Sequence, residues 1–233
     1  MRSPFALEPV VTLGFVPVTK PVIVTWVIMA ALVVLSLLVR RGLSARPGKL
    51  QAIVELVQHA LDQQISDVLQ REAAPYRAFI GTIFIFILVA NWSSLIPGTE
   101  PPTATLETDA ALALLVLCST VWFGITARGF TGYLKTFARP SWAMIPLNII
   151  EQLTRSFSLI VRLFGNIMSG VFVIGIVLSL AGLFVPIPLM ALDLLTGAVQ
   201  AYIFAILACV FIAAGVAGEG DDKPSNVRKG ISE

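Results

Sequence analysis

Charge is scarce in this chain: Asp, Glu, Lys and Arg supply 13% of its 233 residues, against roughly 25% in a soluble domain. With 57% hydrophobic residues and a mean hydropathy of +0.88, the polar side chains are too few to cover a water-facing surface, and secreted, disordered and fibrous classes are excluded with the soluble ones. Cysteine is nearly absent. Cys118 and Cys209 both lie inside long apolar runs, so neither a disulfide framework nor a thiolate metal cluster is supported, and no cofactor or metal is expected. The net charge of +2 comes from basic residues scattered in small groups, unlike the continuous basic patch that a nucleic-acid partner requires. No Gly-rich phosphate loop occurs either. An integral, all-α membrane protein in a lipid bilayer remains. The segment from Met1 to Lys20 lacks the basic-then-apolar pattern of a signal peptide and is expected to stay in the mature chain.

A helix needs roughly 20 apolar residues to cross the hydrocarbon. Segments at about 21–39, 78–96, 110–127 and 187–215 meet that length. The stretch 142–184 is longer; roughly 40 helical residues reach about 60 Å, twice the ~30 Å of hydrocarbon. It is expected to tilt strongly, run along the interface, or break near Gly165, Gly170 or Gly175.

Basic residues orient these spans, because short loops rich in Lys and Arg stay cytoplasmic. Arg40, Arg41, Arg46 and Lys49 follow the first span, and Arg71 and Arg77 precede the second. No basic residue lies between Arg77 and Arg128, while the connection from Pro97 to Asp109 holds Glu100, Glu107 and Asp109 and is expected to face outward. Arg128, Lys135 and Arg139 return the chain to the inside, where Lys223, Arg228 and Lys229 also fall. The expectation is one integral domain over residues 1–233. It has five membrane helices in a cell inner (plasma) membrane, the N-terminus outside and a cytoplasmic tail at 216–233. Between the first two spans, Leu50, Ile53, Val54, Val57, Leu61, Ile65 and Val68 recur at helical spacing opposite Gln51, Glu55, Gln58, Asp62 and Asp67. Residues 50–70 therefore read as an amphipathic helix on the inner surface or against a partner. His59 falls on its polar side as a solvated residue, and Trp92, Trp122 and Trp142 near span ends suit an interfacial belt.

Against this apolar background one pattern stands out. In the long segment, Asn148, Glu151, Arg155, Ser158, Arg162, Asn166 and Ser169 follow at steps of three or four, which places them along one helix face. That face cannot meet lipid, where an ionised residue costs at least ~2.5–3.5 kcal/mol near the middle. It must face protein or a water-filled route. Arg162 is its central member, flanked by Leu159, Ile160, Val161, Leu163 and Phe164. A guanidinium stays charged, so it cannot relay a proton by losing its own; it can attract a carboxylate and repel another cation. The competing reading pairs Arg162 with Asp193 simply to hold two helices together. Arg155, nearer the inner interface, can snorkel.

The last span carries a second polar line, Asp193, Thr196 and Gln200, beside the small residues Gly197, Ala201, Ala205 and Ala208 that permit close helix approach. An antiparallel hairpin turning near Ala181 and Gly182 puts Arg162 and Gln200 at one depth, Asp193 nearer the outside, and Glu151 and Asn148 nearer the inside. Two hydrophilic routes then approach the middle from opposite sides, with Arg162 between them. An ion could enter each but not cross, so a partner with a mobile intramembrane carboxylate is required.

These residues resemble subunit a of F-type ATP synthases, the membrane stator subunit of the rotary motor. PLNIIEQLTRSFSLIVRLFGNIMSG from Pro146 to Gly170, with RLFGN at its core, is similar to the family signature. AVQAYIFAILACVFIA around Gln200 is similar to its second motif, and PTATLETDAALAL from Pro102 to Leu114 to its outer-loop pattern. The resemblance implies a partner ring of c subunits, each with one buried carboxylate, and a peripheral stalk of b subunits. It implies ion translocation through Arg162, Gln200, Asp193, Asn166, Glu151, Asn148, Ser158 and Ser169, with nucleotide chemistry elsewhere and no catalytic residue in this chain. Two positions depart from the pattern. Val171 stands where many members carry glutamate or histidine nine residues after the arginine, which passes the polar role on the outer path to Asp193, at a position where relatives have histidine or glutamate; and Ser156 replaces a usual proline.

Protons are the expected cargo, with sodium in the same machine as the alternative. A secondary ion transporter would show inverted repeats with paired broken helices, and the two halves of this chain do not repeat. A haem-bearing electron carrier would want intramembrane histidines, and His59 lies outside the spans.

Overall fold

The computed structural model describes residues 9–13, 16–41, 49–96, 99, 101–137, 144–182 and 184–216. Six long helices carry the fold: α1 (Lys20–Arg41), α2 (Lys49–Leu69), α3 (Ala74–Trp92), α4 (Leu106–Phe137), α5 (Met144–Ala181) and α6 (Ile187–Val216). Five of them, all but α2, are long and apolar enough to cross a membrane, as the sequence leads one to expect. An antiparallel hairpin precedes α1, formed by β1 (Pro9–Leu13) and β2 (Val16–Thr19). The sequence reading does not include it, although the valines and threonines of both strands favour extended backbone. Trp142, Arg46, Glu100, Arg139 and the tail with Lys223, Arg228 and Lys229 lie outside the described residues.

α6 is the centre of the packing and touches α2, α3, α4 and α5. Its Gly197, Ala201, Ala205 and Ala208 are buried, and their small side chains let neighbouring backbones come close. One core cluster joins Ile83 and Ile87 of α3, Val116 of α4, Leu159 and Leu163 of α5, and Phe204 of α6. A second joins Ile65 and Leu69 of α2, Tyr76 and Ile80 of α3, and Ala205, Cys209 and Ile212 of α6. By contrast α1 buries only Pro21 and Ile28 among its own residues, and its Val27, Val33 and Leu38 remain exposed on an apolar surface suited to lipid.

Three expectations are sharpened. α5 does not break: it runs unbroken for 38 residues, about 57 Å at 1.5 Å per residue, which leaves inclination as the way to fit a ~30 Å layer. It stops at Gly182, whose φ of 74° is the left-handed turn that glycine permits after a helix. α4 is kinked at Gly129 (φ 74°, ψ 162°), two residues past Ala127, and the chain resumes helix beyond it to Phe137. Finally, the C-terminal half of the amphipathic α2 rests on its own chain. Ile65 and Leu69 are buried against α3 and α6, Asp62 pairs with Arg77, and Tyr202 donates from its hydroxyl to Gln64 Oε1 at 3.0 Å. The N-terminal half leaves Val54, Leu56 and Val57 exposed.

Ile65, 1% exposed, anchors that docking. Ile65→Ala is expected to weaken it by about 2–5 kcal/mol, read as faster backbone hydrogen exchange along 61–69 than along α3; unchanged protection of α2 would show that other contacts hold the helix.

Candidate functional site

The surface of α5 divides lengthwise. Leu159, Leu163 and Ile167, spaced by four, are buried in the bundle. Ile150, Leu153, Phe157 and Val161 are exposed and apolar. The polar stripe runs along the flank between: Glu151, Arg155, Ser158, Arg162 and Ser169 are exposed, and Asn148 and Asn166 are half-buried. The one-face arrangement expected from spacing is thus present, and the chain leaves that face uncovered.

Arg162 forms no hydrogen bond or ion pair among the described residues. The competing reading, a structural pair with Asp193, is therefore not what the fold contains. Arg155 instead pairs with Glu151 one turn away, and its guanidinium lies 5.7 Å from the centroid of the Phe211 ring on α6, a cation–π contact that keeps it beside the helix–helix seam.

Asp193, 8% exposed, accepts a hydrogen bond from Ser94 Oγ at 3.2 Å. It also presses on α5 at Gly170, where a Cβ would stand 2.0 Å from its Oδ1. Glycine is required there by close approach, not by a turn. The contact fixes the register of the antiparallel pair: eight residues back along α5 from Gly170 is Arg162, and eight forward along α6 from Asp193 is Ala201, next to Gln200. Arg162 and Gln200 thus share a level about 12 Å from Asp193 along the helices. Glu151 lies a further eleven residues back, about 16 Å on the other side of Arg162.

Between α5 and α6 at the Asp193 level is a cavity of about 240 Å³, with Asn166, Ser169, Gly170, Asp193 and Thr196 among its lining and apolar walls from Val173, Ile174, Leu189 and Leu192. Four polar residues picked out by sequence, Asn166, Ser169, Asp193 and Thr196, are brought together here. The buried Nδ2 of Asn166 and Nε2 of Gln200 have no hydrogen-bond partner among the described residues. Each is a donor held toward the seam, and an enclosed amide without a partner is disfavoured by about 1–3 kcal/mol. Glu151, Asn148 and Ser158 stand apart from this cavity, along the exposed flank.

Sequence reasoning missed the support behind the cavity. Asn91, 2% exposed, donates to the Gly197 carbonyl of α6 at 2.9 Å and accepts from Thr103 Oγ1 at 2.8 Å. The Trp92 indole donates to the Leu194 carbonyl at 3.2 Å, so it does more than mark an interface. The connection expected to face outward folds back: Pro102–Ala104 is a short helical turn against α1, α3, α4 and α5. Asp109, read as an acid of that connection, lies in the first turn of α4, fully buried, with neither carboxylate oxygen partnered among the described residues. The available signal was ANWSS at the end of an apolar run, with Asn91 one position inside the tryptophan.

A cation without a partner among the described residues, midway along an uncovered polar flank, can attract a visiting carboxylate. Over residues 22–213 the chain matches the family described as ATP synthase A chain. It is 52% identical over 214 residues to ATP synthase subunit a 2 of Bradyrhizobium sp. strain BTAi1, covering 92% of this chain and 96% of that protein. It is 46% identical over 203 residues to ATP synthase subunit a 2 of Acaryochloris marina (86% and 87% covered), and 44% identical over 207 residues to ATP synthase subunit a of Albidiferax ferrireducens (88% and 90% covered).

The Gly170 contact can be tested by comparison with Gly175, where a Cβ would meet nothing within 4 Å. Gly170→Ala is expected to lower stability by about 1–3 kcal/mol through overpacking, seen as a lower thermal midpoint of the purified protein, while Gly175→Ala leaves the midpoint unchanged or higher. Equal behaviour of the two variants would mean that Asp193 does not seat on Gly170.

Proposed function

This chain belongs to the ATP synthase A chain family and is a multi-pass membrane protein, and we propose that it is the stator subunit through which ions reach and leave a rotating ring of c subunits. The observation that carries this reading is the uncovered polar flank of α5, with Arg162 at its middle and without a partner among the described residues. Lipid cannot cover that flank without a large penalty, so a protein surface bearing carboxylates must.

Two offset half-channels follow from the same layout. One approaches from outside through the cavity at Asp193, Asn166 and Ser169, whose lining ends at Thr196, one helical turn short of Gln200. The other leaves toward the cytoplasm past Ser158, Glu151 and Asn148. A ring carboxylate facing Arg162 is held ionised by the guanidinium; it gives its proton to one route as it approaches and takes a proton from the other route as it turns away. Because Arg162 keeps its charge, a proton cannot pass it without riding on the ring. Each charge crossing 100 mV contributes about 2.3 kcal/mol, which the rotor conveys to the nucleotide sites of the soluble head. Basic residues at the ends of α1 and before α3 support a cytoplasmic C-terminus in a cell inner membrane. A b-subunit stalk would hold the whole chain, as one integral domain, against the torque.

Arg162→Ala in the assembled complex is expected to abolish both ATP synthesis under an ion gradient and ATP-driven pumping, while the c ring still co-purifies. Retention of coupled transport would overturn the mechanism. Asp193→Asn is expected to slow ion uptake from the outer side and to leave release on the inner side unaltered, measured in reconstituted vesicles with pH-sensitive and sodium-sensitive dyes. A rate unchanged across pH would place the outer route elsewhere, and pumping that requires sodium at fixed pH would replace the proton by sodium.

A further inference from the structure

A second recess, of about 360 Å³, lies between the end of α2 and the last turns of α6, well away from the cavity at Asp193. Its walls are apolar, formed by Val68 and Leu69 on one side and Val210, Ala213 and Val216 on the other. The small side chain of Ala213 leaves the space open. At its rim the chain turns sharply: Gln70 has a φ of 55°, and its N–H closes on Ser66 O at 2.8 Å. A non-glycine residue in this left-handed conformation is disfavoured by about 1–2 kcal/mol, and here it brings Arg71 to the mouth of the recess. Arg71 is the one ionisable residue among the described lining. On the far wall, Arg128 Nε donates to the Val216 carbonyl at 3.3 Å, which sets a second cation near the same end of α6.

We propose that this recess binds an anionic phospholipid, with an acyl chain between α2 and α6 and its phosphate at Arg71. Three features combine to favour that occupant. The walls end where a membrane-spanning helix meets an amphipathic one, which is the depth of lipid headgroups. An apolar recess gives water no partners but suits a hydrocarbon tail. A basic mouth between helices on the Arg-rich side of the chain selects an anionic headgroup. Such a lipid would complete the contact between the C-terminal end of α2 and α6 and would wedge α2 at a fixed angle to the bundle.

The test uses the purified complex reconstituted with phosphatidylglycerol or phosphatidylcholine carrying a photoactivatable tail, followed by mass mapping of the adducts. Phosphatidylglycerol is expected to label 68–71 and 210–216 about fivefold more than phosphatidylcholine, the factor that one surface cation contributes. Arg71→Gln should bring it down to the phosphatidylcholine yield, and Ala214→Leu, at an exposed lining position, should reduce labelling by both. Equal labelling by the two lipids in the unaltered chain overturns the headgroup selection. Absence of lipid adducts with cross-linking to a neighbouring subunit at the same residues would assign the recess to a protein partner instead.

Discussion

Close packing of α6 is the constraint on which the rest of this structure depends. Helices in lipid gain no hydrophobic benefit from meeting one another, so their association rests on how many atoms come into contact. The line Gly197, Ala201, Ala205, Ala208 lets α6 touch four helices at once. Gly197 also admits the Asn91 side chain, since a Cβ there would lie 3.1 Å from Asn91 Cβ. The same closeness presses Asp193 onto Gly170 and so fixes which residues of α5 and α6 share a level. A bulky residue at either glycine would shift that register and move the polar groups of the two helices out of alignment.

With α6 set, the surface of α5 is apportioned. Its buried line, Leu159, Leu163 and Ile167, satisfies the bundle, and the polar flank is left without cover. An arginine engaged by an internal carboxylate would have its attraction already satisfied, and a second carboxylate would compete poorly for it. The chain avoids this by giving Asp193 the Ser94 hydroxyl and Glu151 the Arg155 guanidinium. Arg162 pairs with neither carboxylate among the described residues. Its positive charge is therefore left available at one depth.

Much of this was legible in the sequence because charges in a long apolar segment are few and their spacing has one helical meaning. The stripe, the span order and the hairpin at Gly182 could be read from residue order alone. What could not be read depends on contacts between distant segments. Asp109 looks like a solvated acid beside Glu107 and Thr108 after a run of prolines, yet the Pro102–Ala104 turn folds back against α4 and α5 and Asp109 ends up enclosed. Asn91 looks like the polar end of a span; only the proximity of Thr103 and Gly197, twelve and more than a hundred residues away, gives its amide two partners. Spacing places Arg162 on the stripe but does not say whether that stripe is covered. That is decided by which line of α5 the small residues of α6 accept.

The two ends of the flank are built differently, and the difference has a physical consequence. At the Asp193 end the chain's own residues form a recess between α5 and α6. Asp193 is held there by its contacts with Ser94 and Gly170 before any partner arrives. At the Glu151 end the polar groups lie on an exposed surface, with Glu151 and Arg155 both about half accessible. A polar line exposed on one helix of a membrane bundle becomes a route only when a second surface closes it. The Asp193 end can therefore be tuned by substitutions within this chain, whereas the Glu151 end takes its final shape from whatever surface covers it.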